Sequence, residues 1–388
     1  MKKLAIILAP LLVLALVVGA IGCGGEEATP TPTPTVKPTA TPIATPTVSP
    51  APGTTPAPTP TPTKSPPTSG PTSAPSPTPR PEPVVFKLAH GYPPGSFVDS
   101  IPQKLKELTE EYTDGLVQIE IFPMATLVAD YQLFDAVSTG IADMGLPSDW
   151  VLQPVLEDWY VQWLIWWWDG LDHIKAFFQH PDGGQKMLKE LEAYNMKGLF
   201  IVPNTTLTMV LAKGRVVESF YDLEGMRIRA VAGIVGVPYT YVGATSLQIA
   251  FTEMITAYEQ GVVEAIGTDA DSAVVAGHDK ISDSAFIFPY YIATMRTLLV
   301  NMDKWNKVPA DLQAIIENRV VPELVEWVYP ALIENELGVA AAMEASIPTA
   351  YQTKAEKEDL RDILLPLTEK WWSEIDPDLL ALAESLRP

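Results

Sequence analysis

Between residues 84 and 147, apolar runs and amphipathic runs take turns. No other feature constrains the fold of this chain as tightly. "VVFKLAHG" (84–91) is an apolar run closed by glycine and reads as a buried strand. "SIPQKLKELTEEYTDG" (100–115) is apolar at helical spacing and closes on Asp-Gly. "LVQIEIFP" (116–123) alternates and stops at proline, "ADYQLFDAVSTG" (129–140) is helical, and "IADMGLP" (141–147) is strand-like again. This β-α-β-α-β order implies a parallel sheet covered by helices. Ligand sites in such sheets lie at the carboxyl ends of the strands. Those ends are His90-Gly91, Pro123-Met124 and Pro147-Ser148-Asp149.

The alternation then repeats. Two strands are expected in "KGLFIVPN" (197–204) and "TMVLAKG" (208–214), and another in "DLEGMRIRAV" (222–231). "GIVGVPYTYVG" (233–243) reads as helix, "TSLQIAF" (245–251) as strand, "TEMITAYEQG" (252–261) as helix and "VVEAIGTDA" (262–270) as strand. A second α/β lobe follows from this. "AFIFPYYIATMRTLLVNM" (285–302) reads as one or two long strands returning between lobes. From Asp303 the pattern is almost all helical, with Pro309 and Pro322 as expected breaks or kinks.

The first 83 residues are different material. Residues 1–22 have a basic start, an apolar run and small residues before Cys23, as a secretory leader does; a membrane anchor is the other reading. Ala20-Ile21-Gly22-Cys23 resembles a bacterial lipobox, which implies lipidation at Cys23 and attachment to the outer face of the cytoplasmic membrane. Cys23 is the only cysteine, so an internal disulfide is impossible. Residues 24–83 hold 20 of the 38 prolines, interleaved with threonine and serine. Such a stretch has no apolar set to bury and reads as a solvated tether. The formal net charge of -21 argues against nucleic acid as a partner.

Two stretches draw attention for chemistry. Six of the ten tryptophans fall between 150 and 168, in "DWYVQWLIWWWDG" (158–170) and just before it. They read either as core or as an aromatic wall beside a ligand. Three consecutive tryptophans, Trp166 to Trp168, cannot all point inward, so at least one is expected at a cleft or a domain contact. The second stretch is "RIRA" (227–230). Strand alternation puts Arg227 and Arg229 on one face. A guanidinium cannot shed its charge on an interior strand, so it needs an anionic partner. That partner is either an internal carboxylate such as Asp222, Glu224 or Glu253, or the carboxylate of a ligand held by paired N–H groups. Phosphate loops, nucleophile elbows and metal motifs are missing, and the four histidines are scattered. No cofactor or metal is expected.

Three segments, in order, resemble the substrate-binding proteins of TRAP transporters (tripartite ATP-independent periplasmic transporters, DctP-like). They are "VQIEIFPMATLVADYQLFDAVSTGIADMG", "DLEGMRIRAVAGIVGVPYTYVGATSLQIAFTEMITAYEQGVVEA" and "NMDKWNKVPADLQAII". The resemblance implies an α/β, two-lobed periplasmic-binding-protein-like (Venus flytrap) fold with a long C-terminal helical region. Lobe I would span about 84–206 plus returning C-terminal segments, and lobe II about 207–296. It implies a receptor, not an enzyme, that closes on a small organic acid and delivers it to membrane permease subunits. Arg229 matches the family's carboxylate-binding arginine. Position alone adds His90, Ser148, Asp149 and Phe251 as ligand contacts. Thr268 and Asp269 stand where the family often has another contact residue, and Trp168 is expected at the cleft. Competing readings are a surface sensor or carbohydrate-binding protein using the tryptophans, and a cell-surface hydrolase.

Overall fold

The computed structural model describes residues 82–388 apart from 231 and 232, and apart from the side chains of residues 149 and 252. The leader at 1–22, Cys23 and the tether as far as residue 81 lie outside the described residues. Among the described residues nine strands form one sheet: β1 (Val84–Ala89), β2 (Val117–Phe122), β3 (Met144–Gly145), β4 (Met196–Ala212), β5 (Arg227–Ala230), β6 (Thr245–Gln248), β7 (Ala265–Asp269), β8 (Ser284–Asn301) and β9 (Thr349–Tyr351). Their order is β2-β1-β3-β8-β4-β7-β5-β6, with β9 added to β8.

The sheet has two parallel groups. β1 lies parallel between β2 and β3, and β5 lies parallel between β6 and β7. Long antiparallel strands β4 and β8 join the groups and run through both. Helices cover both faces, giving a two-lobed α/β protein. In the first lobe, Phe86 and Leu88 pack with Ile101 and Leu105 of the helix Phe97–Tyr112. That helix starts at Ser96, whose Oγ accepts the Asp99 N–H at 3.3 Å; such a cap stabilises a helix by about 1 kcal/mol. In the second lobe, Phe220, Tyr239, Phe286 and Tyr291 fill one side and Met254, Tyr258 and Met343 the other.

The strands expected at 197–204 and 208–214 are one strand, Met196–Ala212. Pro203 has no N–H to give a ladder, and the register shifts between Pro203 and Thr205 to absorb it. A further shift separates Thr205↔Thr294 from Leu207↔Pro289, so β8 bulges there, with Tyr290 at a left-handed φ of 53°. β4 and β8 thus change register where they pass from one lobe to the other. Glu336 braces this point: its carboxylate accepts from the Thr205 hydroxyl at 3.1 Å, the Thr206 hydroxyl at 2.7 Å, the Thr206 N–H and the Leu207 N–H at 3.1 Å.

Glu336 belongs to the long C-terminal helical region. Ala310–Ile315, a π-helical turn Ile316–Val320 and Val321–Ser346 follow without a gap. Pro309 precedes this run as its N-cap. Pro322 does not break it. The wide turn immediately before Pro322 already departs from the i→i−4 ladder in which a proline lacks its donor.

Candidate functional site

The strand carrying the two arginines begins after a tight corner. Ser219 and Asp222 form a capping box, and Gly225, at φ 76°, turns the chain into β5. Arg227 sits at the exposed start of β5. It pairs with Glu264 at 3.4 Å and donates to the Gly261 carbonyl at 2.9 Å. For Arg227 the partner is thus an internal carboxylate, supplied by Glu264 rather than by Asp222, Glu224 or Glu253. Arg229 lies two residues deeper and is 2 % exposed. Its Nε donates to the Ile249 carbonyl and its Nη1 to the Gly267 carbonyl, both at 2.8 Å. Its Nη2 has no hydrogen-bond partner among the described residues, and Arg229 forms no ion pair among them. The two carbonyls fix the plane of the guanidinium but do not neutralise it. Burial pulls Arg229 down to about 10, with the Tyr92 and Asp269 side chains working the other way. It therefore stays charged at neutral pH.

Arg229 lines a cavity of about 80 Å³. On its side stand Tyr239, Gly267, Thr268 and Asp269. Gly267 is required by close approach: a Cβ there would lie 2.7 Å from the Tyr239 hydroxyl and 3.0 Å from the Arg229 carbonyl. The Tyr239 hydroxyl and Thr268 Oγ1 are buried without a partner among the described residues. Burial pushes the Tyr239 phenol well above its usual range, so it is a neutral donor. Asp269 Oδ1 accepts the Ser272 N–H at 2.8 Å and caps the helix Ala270–Val275.

Tyr92 and Ser148 come from the other lobe, and Arg296 from β8, which runs through both. Arg296 is 2 % exposed, donates to the Met295 carbonyl at 2.7 Å and to the Tyr92 hydroxyl, and lies 4.5 Å from the centre of the Tyr92 ring. Tyr92 Oη also lies 3.1 Å from Ser148 Oγ, a contact in which either hydroxyl can donate. Burial is the main reason the Tyr92 phenol is pushed up to about 12. Phe251 lies against Tyr92 with ring centres 5.7 Å apart. Trp150, Trp163, Val235 and Ile292 complete the apolar wall.

Of the residues singled out from sequence, Arg229, Ser148, Phe251, Thr268 and Asp269 come together here. The side chain of Asp149 lies outside the described residues. His90 does not line the cavity. It is fully buried behind Tyr92, accepting the Tyr92 N–H at Nδ1 and lying 3.2 Å from Asp99 at Nε2. Burial lowers its pKa, against the pull of Asp99.

Trp168 does not stand at the cleft. It is buried among His173, Phe177 and Phe178, at ring distances of 4.9, 5.4 and 5.5 Å. Trp166 takes a left-handed φ of 50°, which turns consecutive rings into different cores, so Trp166 and Trp168 are both fully buried. The tryptophans that reach the cavity are Trp150 and Trp163.

Tyr92, Tyr239, Trp163 and Arg296 escaped the sequence reading. For Arg296 a signal existed: it is a lone cation inside the apolar run "ATMRTLLV", and the argument applied to Arg229 holds for it equally.

The family profile described as bacterial extracellular solute-binding protein, family 7 (DctP), matches residues 88–375. The C4-dicarboxylate-binding periplasmic protein DctP of Rhodobacter capsulatus is 24% identical over 315 residues, which are 78% of this chain and 91% of that protein. Among solved structures, the sugar acid binding protein of Advenella mimigardefordensis in complex with galactonate superposes with a TM-score of 0.72 at 17% identity, covering 79% of this chain and 99% of that one. A TRAP periplasmic solute-binding protein of Shewanella oneidensis with bound succinate gives 0.70 at 17% identity, covering 79% and 100%.

Proposed function

We propose, since this chain belongs to family 7 of the bacterial extracellular solute-binding proteins, the DctP family, that Arg229 holds the carboxylate of a small organic acid in the cavity between its lobes. The chain is a solute receptor of the TRAP type and not an enzyme. One observation carries the assignment of Arg229. It is buried and charged, and one nitrogen lacks any partner. An unpaired buried charge costs several kcal/mol, and a ligand carboxylate supplies the missing anion. The relatives that bind galactonate and succinate take ligands of this kind.

Lobe I at about 84–206 with returning C-terminal segments and lobe II at about 207–296 would close on the acid. The register shifts in β4 and β8, braced by Glu336, support a hinge at their junction. A closed, loaded receptor would then deliver its acid to integral-membrane permease subunits. The Ala20-Ile21-Gly22-Cys23 sequence supports a lipid anchor on Cys23, with residues 24–83 as tether. Loss of fatty-acid incorporation in Cys23→Ser is the expected result, and unchanged incorporation refutes the anchor.

Calorimetric titration of Arg229→Met with organic acids tests the assignment. Affinity should fall by at least about tenfold, as truncating one partner of a buried charge pair costs roughly 2–5 kcal/mol. A folded variant that binds acids as tightly as the parent removes Arg229 from the site.

A further inference from the structure

The cavity contains more than a carboxylate grip, and its other groups define which acids fit. We infer that it is built for a small 2-hydroxymonocarboxylate with a short apolar side chain, and that it discriminates against C4-dicarboxylates. The inference rests on the carboxylate reading above and narrows it.

Size is the first constraint. A volume of about 80 Å³ accommodates roughly five to eight water-sized groups at about 10–15 Å³ each. This suits an acid of a few carbons. Charge is the second. Arg229 presents an unpartnered N–H to the cavity. Arg296, the other guanidinium in the wall, already donates to the Met295 carbonyl and the Tyr92 hydroxyl. The Tyr92 hydroxyl in turn lies 3.1 Å from Ser148 Oγ, and the Ser148 N–H is held by Asp130, so these groups are engaged with one another.

Asp269 is the third constraint. Its carboxylate lines the same cavity as Arg229. A second ligand carboxylate would meet that anion in a water-poor space, where like charges repel strongly. A ligand hydroxyl instead finds acceptors and donors in Asp269, Thr268 Oγ1 and the Tyr239 hydroxyl, the last two being buried without partners. The remaining wall is apolar and aromatic, with Trp150, Trp163, Val235 and Ile292. Burying a charged carboxylate against such a surface is costly, whereas an isopropyl or similar group gains from it.

The test is calorimetric titration of the full chain with 2-hydroxyisovalerate, malate, succinate and 2-hydroxyisovaleramide. 2-Hydroxyisovalerate should bind at least about tenfold more tightly than malate or succinate, and the neutral amide should lose about tenfold or more. Asp269→Asn removes the charge but keeps a good helix cap, so the fold is preserved. Its preference for 2-hydroxyisovalerate over malate should shrink by about fivefold or more. Malate or succinate binding as tightly as 2-hydroxyisovalerate in the parent chain overturns the monocarboxylate inference while leaving the carboxylate grip standing. An unchanged preference in Asp269→Asn overturns the role of Asp269. If the amide binds as well as the acid, the carboxylate reading itself falls, and this inference falls with it.

Discussion

The tryptophan run of 150–168 and the arginine strand β5 carry the most conspicuous side chains in the sequence, and the structure treats them in opposite ways. Trp159, Trp166 and Trp168 are completely buried and serve the cores of two lobes. Arg229 is nearly as buried, yet part of its guanidinium has nothing to bind. For an indole, burying the ring is favourable, and although the N–H groups of Trp166 and Trp168 have no partner among the described residues, they are neutral and cost far less to bury than a charge. For a guanidinium, burial is costly, so a buried and unpaired one points to a ligand. Depth below the surface carries functional information only for groups that lose by being there.

The sharpest way to break this contrast is to remove one member from each region and compare folding with binding. Trp168→Ala empties a packed site among His173, Phe177 and Phe178. It should cost about 3–5 kcal/mol of stability, read as a large fall in melting temperature, while the refolded variant keeps its affinity for acids. Arg229→Met should do the reverse. With no ligand present its melting temperature should hold or rise, because an unpaired buried charge is replaced by an apolar chain of similar length. A Trp168 variant that is stable but blind to acids would return that residue to the cleft.

A smaller effect comes from the underside of the tryptophan segment. Glu190 ends the helix Gly184–Glu190, and burial together with the neighbouring Asp158 carboxylate pushes its carboxyl up to about 7. Its value in the unfolded chain is about 4.3. The folded state therefore holds this proton more tightly, and the associated stability is complete below about pH 4 and lost as pH rises through about 7. Glu190→Gln should raise the melting temperature by a few degrees at pH 8 and leave it unchanged near pH 4. Equal melting curves of parent and variant at pH 8 would show that the two carboxylates do not interact.

How much of this was readable beforehand follows the same division. The alternation of 84–147 was enough to place β1, β2 and β3 in one parallel group, because strands and helices differ in period and length. The single long strand β4 was hidden by Pro203, since the register shift that tolerates it depends on β8, about ninety residues away in sequence. Arg229 could be found because its cost is local to its own strand. Tyr92 and Tyr239 could not, because a tyrosine is equally at home in a core, and only the fold shows that the Tyr92 hydroxyl meets Arg296 and Ser148 while that of Tyr239 has no partner among the described residues. Arg296 was findable on the rule used for Arg229, and the apolar run around it was read only for its secondary structure.

The smallest expected effect is the most direct control on that rule. Arg227 shares a strand, a charge and, by alternation, a face with Arg229, and differs only in depth. Its partner Glu264 is half-exposed, as Arg227 is. Exposed pairs contribute about 0–1 kcal/mol. Arg227→Ala should therefore change the melting temperature by no more than a few degrees and leave acid affinity within about twofold of the parent. If it weakened binding as strongly as Arg229→Met, the grip on the ligand would depend on the positive charge of the strand as a whole, and the unpaired nitrogen of Arg229 would lose its special status. If it did nothing, two arginines separated only by Ile228 would mark the boundary between a surface ion pair and a binding group.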